Sequence, residues 1–136
     1  MANEAVLVTQ FMPPVNFTIA NGTAGTNIER GTILQLSTDP RTVTASSGDN
    51  QTFAGILAGE KIGGDGKTTC PVHIAGIFRV KDSGAGVTIG DLCKIAGANL
   101  VATADDAGAQ GANEIVGKAL ETAAASETFL IQVGIY

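Results

Sequence analysis

Apolar and polar residues alternate in short runs along this chain, and the runs are cut by turn residues before any helical period develops. The plainest case is Thr128 to Ile135, where Phe129, Ile131, Val133 and Ile135 share one face, the period-two signature of a half-buried strand. The same reading predicts strands at Val15 to Ala20, Thr32 to Ser37, Thr42 to Ala45, Phe53 to Ala58, Thr69 to Ile74, Ile77 to Lys81, Leu92 to Ile95, Asn99 to Thr103 and Ile115 to Glu121. Between them stand Asn21-Gly22, Asp39-Pro40, Gly63-Gly64-Asp65-Gly66 and Gly90-Asp91, which suit tight turns because Gly and Asn tolerate positive φ and Pro fixes φ. The runs on either side of Gly76 read as a hairpin at the centre of the domain. Ala104 to Asn113 carries no large apolar residue and reads as a surface loop with one helical turn at most.

The predicted fold class is therefore all-β: a small single-domain β-sandwich or barrel over residues 15–136, with an extended N-terminal arm over residues 1–14. No linker divides two independently patterned halves, and no repeat period indicates a solenoid. In the arm, Val6, Leu7, Val8, Phe11 and Met12 are apolar but run straight into Pro13 and Pro14, which hold the chain extended and remove two backbone donors. Two readings of the arm stand: it lies along its own body, or it reaches a neighbouring subunit.

Composition narrows the picture. Eighteen glycines disfavour a helix bundle, since each interior Gly costs about 1 kcal/mol relative to Ala. Without Trp and with a single Tyr, aliphatic side chains must fill the core. A formal charge of −5 works against binding a phosphate backbone, so nucleic acid is not an expected partner. No apolar run approaches the ~20 residues a bilayer requires, and the first ten residues lack the pattern of a secretory signal, so synthesis in the cytosol and no membrane contact are expected. Cys70 and Cys93, far apart and outside any Cys-x-x-Cys spacing, are expected to be reduced and buried or partly buried.

Candidate chemistry is sparse. Glu60 to Thr68 ends in Gly-Lys-Thr like a phosphate-binding loop, but Lys61 occupies the position of the required first glycine, and a Gly-rich hairpin tip accounts for the residues. His73 is the single histidine; flanked by Val72 and Ile74, it is expected to face opposite to both, as a surface or hydrogen-bonded residue. A zinc site needs three or four ligands, and His73, Cys70 and Cys93 do not read as one. Ser37, Ser46, Ser47, Ser83 and Ser126 fall at strand ends or in turns, none in a Gly-x-Ser-x-Gly elbow, and Asp105-Asp106 lack calcium-loop spacing. No catalytic, cofactor or metal residue is expected, and no small-molecule substrate.

Phe53-Ala54-Gly55-Ile56-Leu57-Ala58, a Gly/Asp turn, and then Ala75-Gly76-Ile77-Phe78-Arg79-Val80-Lys81-Asp82 together resemble the head decoration proteins of lambda-type phages. Ile89-Gly90-Asp91-Leu92, Val116-Gly117-Lys118-Ala119-Leu120 and the strand Phe129 to Val133 resemble the related prophage capsid cement proteins, so the likeness spans residues 53–136. The C-terminal half is longer than the lambda-type pattern, and the N-terminal arm matches only in placement.

The resemblance implies a β domain that forms a homotrimer on the outer capsid surface of the virion. There it would reinforce the expanded head by bridging subunits of the phage major capsid protein. It also implies that the N-terminal segment meets the coat protein, and here that segment offers Val6, Leu7, Val8, Phe11, Met12, Pro13 and Pro14. Two other function classes remain in view: a receptor- or carbohydrate-binding β module of a phage tail or cell surface, and a small hydrolase on a β-barrel. The lack of Trp platforms weighs against the first, and the lack of a His-centred motif against the second.

Overall fold

The computed structural model describes residues 3–19, 27–48, 51–104 and 114–134. Among these the chain is all-β, with no α-helix. The strands are β1 (Val6–Gln10), β2 (Val15–Ile19), β3 (Ile33–Leu36), β4 (Thr42–Ala45), β5 (Phe53–Leu57), β6 (Thr69–His73), β7 (Gly76–Asp82), β8 (Leu92–Ile95), β9 (Leu100–Thr103), β10 (Ile115–Ala119) and β11 (Thr128–Val133). Residues 105–113 of the loop expected at Ala104 to Asn113, with the helical turn allowed there, lie outside the described residues, as do Ala20, the Asn21-Gly22 turn and Ile135.

Strands β2 to β6 close a five-stranded barrel in the order β2-β4-β3-β5-β6. The closing pair runs antiparallel from Val15↔Val72 to Thr18↔Thr69, while β2 and β4 run parallel. The other strands form a sheet in the order β1-β7-β11-β10-β8-β9, and a parallel pairing of Lys81 and Asp82 with Leu100 and Val101 joins β9 back to β7. One edge of β7 carries β11 in unbroken register from Gly76↔Val133 to Lys81↔Thr128. Its other edge is divided, with β1 on Gly76 to Arg79 and β9 on the last two residues.

Period-two patterning builds the second barrel's core directly. On β7 and β11, Phe78, Val80, Phe129, Ile131 and Val133 point inward and are essentially inaccessible, while Ile77, Arg79, Leu130 and Gln132 are half-exposed. Gly117 on β10 is required by close approach, since a Cβ there would collide with the Gln132 carbonyl. Asp82 takes the next inward position on β7 and is buried. Its Oδ2 accepts hydrogen bonds from the backbone N–H groups of Gly84 (2.9 Å), Gly86 (2.7 Å) and Ser126 (3.1 Å), fastening two turns to the strand end.

The core has two parts. Ile19, Ile28, Leu34, Val43, Leu57, Cys70 and Val72 pack inside the first barrel. A larger cluster fills the second and extends to Ile33 and Ile56, which pair across β3 and β5 of the first barrel. A polar clasp joins the barrels at the same place. Asn99, buried at φ 58 in the β8–β9 turn, accepts from the Ile33 N–H through Oδ1 (2.8 Å) and donates its own N–H to Ser46 Oγ (3.0 Å).

The hairpin expected around Gly76 does not form. β6 pairs with β2 and β5, β7 pairs with β1, β9 and β11, and Ile74-Ala75 carries the chain from one barrel to the other. Gly76 is there for close approach: at φ 155 its missing Cβ would sit 2.9 Å from the Thr9 carbonyl oxygen. The arm includes a strand that its proline-terminated pattern did not suggest, and β1 lies along β7 of its own chain.

Candidate functional site

Among the described residues, five of the nine exposed large hydrophobic side chains lie on the arm. All five residues of β1 are exposed, including Val6 (60%), Leu7 (40%) and Val8 (53%), and the turn after it exposes Phe11 (42%) and Met12 (39%). Pro13 and Pro14 are exposed too, and Pro14 is followed at once by β2. The arm is fastened at its start, where the Ala5 N–H donates to the Gly31 carbonyl (2.8 Å). Gly31, at φ 90, has to be glycine because a Cβ would strike the Ala5 carbonyl. From there the strand follows β7 with Val6↔Arg79, Leu7↔Phe78, Thr9↔Ile77 and Gln10↔Gly76 in register and a break at Val8. Among the described residues β1 pairs with β7 alone, so its outer edge is unpaired.

A cleft of about 630 Å³ opens beside β1. Leu7, Pro14 and Ala58 give it an accessible apolar lining over the buried side chains of Ile56, Leu57 and Phe78, and Glu4 and Arg30 add one charge of each sign. His73 lines it as well. The expectation of a surface or hydrogen-bonded histidine is corrected: only 7% of His73 is accessible, its Nδ1 is buried without a hydrogen-bond partner, and its ring meets the edge of Phe78 at 5.5 Å. Burial lowers its pKa below the ordinary histidine value, which favours the neutral imidazole. At the start of the arm the Glu4 and Glu29 carboxyls share a hydrogen bond, which holds Glu4 below the usual carboxylate range and raises Glu29.

The remaining reactive groups are tied into structure. Both cysteines are free thiols in the core; burial pushes Cys70 up to about 11, and burial with the Asp91 and Asp82 charges pushes Cys93 to about 12, so neither is a ready thiolate at neutral pH. In the Glu60 to Thr68 loop, Lys61 is buried, and its Nζ pairs with Asp65 and donates to the Ile62 carbonyl. Asp65 Oδ1 also accepts from the Lys67 N–H (2.9 Å), so these residues brace the β5–β6 connection, as the hairpin-tip reading expects. No group of three or more His, Cys, Asp or Glu among the described residues is placed to hold a metal ion.

Of the arm residues singled out from sequence, the structure brings Leu7 and Pro14 to the cleft together with Val6, while Phe11 and Met12 face outward beside it. Sequence reasoning missed Arg30, Gly31, Ile56, Leu57, Ala58, His73 and Phe78 as cleft residues. They come from four separate segments, and no local pattern marks their convergence.

No family model matches the chain, and no curated protein matches it. Among solved structures, the N base of the head fibre gp8.5 of bacteriophage phi29 has a similar fold, with a TM-score of 0.56 and 19% sequence identity. The likeness covers 90% of this chain and 94% of that one, so it takes in both barrels and not one alone.

Proposed function

We propose that this chain is a structural, non-enzymatic protein of a tailed-phage head, a homotrimer that sits on the outer surface of the expanded shell and bridges subunits of the major capsid protein. The observation that carries the reading is the end-to-end likeness to a head fibre base, 90% of one chain against 94% of the other. The motifs at 53–58 and 75–82, which resemble lambda-type decoration proteins, point to the same part of the virion.

The mechanism is adhesion. A protein that binds the assembled shell and not its dissociated subunits stabilises the shell by mass action. Three copies linked in one trimer bind with an avidity that a single contact lacks. On this reading Val6 and Val8, the most exposed apolar residues of β1, lie against the coat protein, and the unpaired outer edge of β1 is open to a coat strand. Pro13 and Pro14 end the pairing, because neither has an N–H to donate.

The test is to mix the purified protein with expanded heads that lack it. Saturable co-sedimentation at a fixed ratio to coat subunits, together with a higher disruption temperature of the heads, is expected. Absence of binding at micromolar protein would overturn the reading.

A further inference from the structure

His73 is the one histidine of the chain, and it stands where the arm crosses from the second barrel to the first. Its neighbour Val72 enters the core of the first barrel, so strand alternation turns His73 the other way, against the edge of Phe78 on β7. The arm passes it twice. Leu7 lies opposite Phe78 in the β1–β7 register, and Pro14 leads into Val15, which pairs with Val72. Both Leu7 and Pro14 line the cleft together with His73.

Nδ1 of His73 is buried and has no hydrogen-bond partner. A neutral ring with its proton on Nε2 leaves only a bare lone pair there. A charged ring carries N–H at both nitrogens, and at Nδ1 the folded chain offers no acceptor. Water then has to reach Nδ1, and one of the walls around it has to move. β5 and β6 belong to a closed barrel, and β7 is held by β11 from Gly76 to Lys81. β1 has one paired neighbour, and every one of its residues is exposed. The arm is thus the wall with the fewest ties, the kind of element that opens locally before the whole. We propose that the arm is an acid-released latch: when His73 takes up a proton, β1 lifts from β7 as a unit while both barrels stay closed. This behaviour belongs to the free protein and does not depend on what the protein binds.

The other charges around His73 are few. Glu4 comes from the arm and Arg30 from the segment before β3, where Glu29 is hydrogen-bonded to Glu4. β5 and β7 bring only apolar side chains to the cleft. Burial holds His73 below its ordinary value while the arm is docked, and lifting the arm returns it toward that value. Docking is therefore complete above pH 6.5 and weakens as the pH falls below it. The carboxyl pair acts in the opposite sense: Glu29 is raised, and its proton completes the bond to Glu4 that fastens the start of the arm. Glu29→Gln replaces that proton with a permanent donor, so His73 acts without this opposition.

The test is hydrogen–deuterium exchange on the purified full chain, read by mass spectrometry on a peptide covering β1 and, as the reference for global opening, on one covering β11. Exchange is compared at about pH 7.5 and about pH 5, each corrected for the intrinsic rate. In Glu29→Gln the protection of β1 relative to β11 is expected to fall at least about threefold, with a ceiling of about thirtyfold at pH 5 for a group whose released value is 6.5. The wild type is expected to show a smaller fall. On the Glu29→Gln background the fall is expected to vanish in His73→Phe and in His73→Gln, and either one that circular dichroism shows to be folded decides the matter. No fall in Glu29→Gln overturns the latch. A fall that survives the loss of His73 also overturns it, as does a β1 that is unprotected already at the higher pH. Parallel loss at β1 and β11 counts against it equally, since the arm then opens only with the barrels.

Discussion

The barrel of β7 to β11 closes around two fully buried aromatic rings, Phe78 and Phe129, whereas the barrel of β2 to β6 has only aliphatic residues and Cys70 in its buried core. The difference goes further than the size of the side chains. Ile33 and Ile56 belong to strands of the first barrel yet pack into the core of the second. The first barrel thus commits apolar groups to its neighbour, and its stability depends on the seam between them. Five strands in a ring are not by themselves an independent unit here.

Four measurements would break or sharpen that comparison. Phe129→Ala empties the centre of the larger core and is expected to cost about 3–5 kcal/mol in urea unfolding, the most of the four. Ile56→Ala, at the seam, is expected to cost about 2–4 kcal/mol; if the barrels were independent it would lower the stability of only one of two separable transitions. Asn99→Ala leaves the Ile33 N–H buried without its acceptor and puts Ala at φ 58, for an expected loss of about 1–3 kcal/mol. Calorimetry on that variant would show a broadened or split transition if the clasp couples the barrels.

The smallest effect concerns acid. The folded pKa of His73 lies below its ordinary value of 6.5 because burial disfavours the charged ring. The unfolded chain therefore takes up the proton first. The contribution of His73 to stability is complete above pH 6.5 and is lost as the pH falls through that value toward the folded pKa. His73→Phe should flatten this part of the stability–pH curve, and an unchanged slope would show that another group titrates there.

Much of the strand pattern could be read in the sequence, because alternation reports directly on which face is buried. β4 and β8 have the expected limits, and β11 carries the Phe129, Ile131, Val133 face. β1 was harder to see. Its residues are all exposed, so no alternation marks it, and what makes it a strand is the open edge of β7 far along the chain. The Gly76 hairpin failed for a related reason: a glycine between two β runs looks the same whether it turns the chain or admits a neighbouring backbone. The division into two barrels has no local signature either, since Ile74-Ala75 is as apolar as the strands it separates. As for the cleft, the arm that borders it was evident from its prolines, but the opposite wall and the buried state of His73 depend on contacts across tens of residues.

Both termini of the described chain contribute to one sheet, with the whole β2 to β6 barrel inserted between β1 and β7. As a ribosome extends the chain at about 5–20 residues per second, β1 emerges before β7 and stays unpaired for several seconds, until residues 76–82 follow. During that interval the nascent polypeptide trails a sticky leader of Val6, Leu7, Val8, Phe11 and Met12 ahead of strands β2 to β6, whose seam residues Ile33 and Ile56 still lack the core they pack into. Maturation of the molecule is therefore ordered in time by its threading, and the leader is available to other nascent chains before its own docking strand exists.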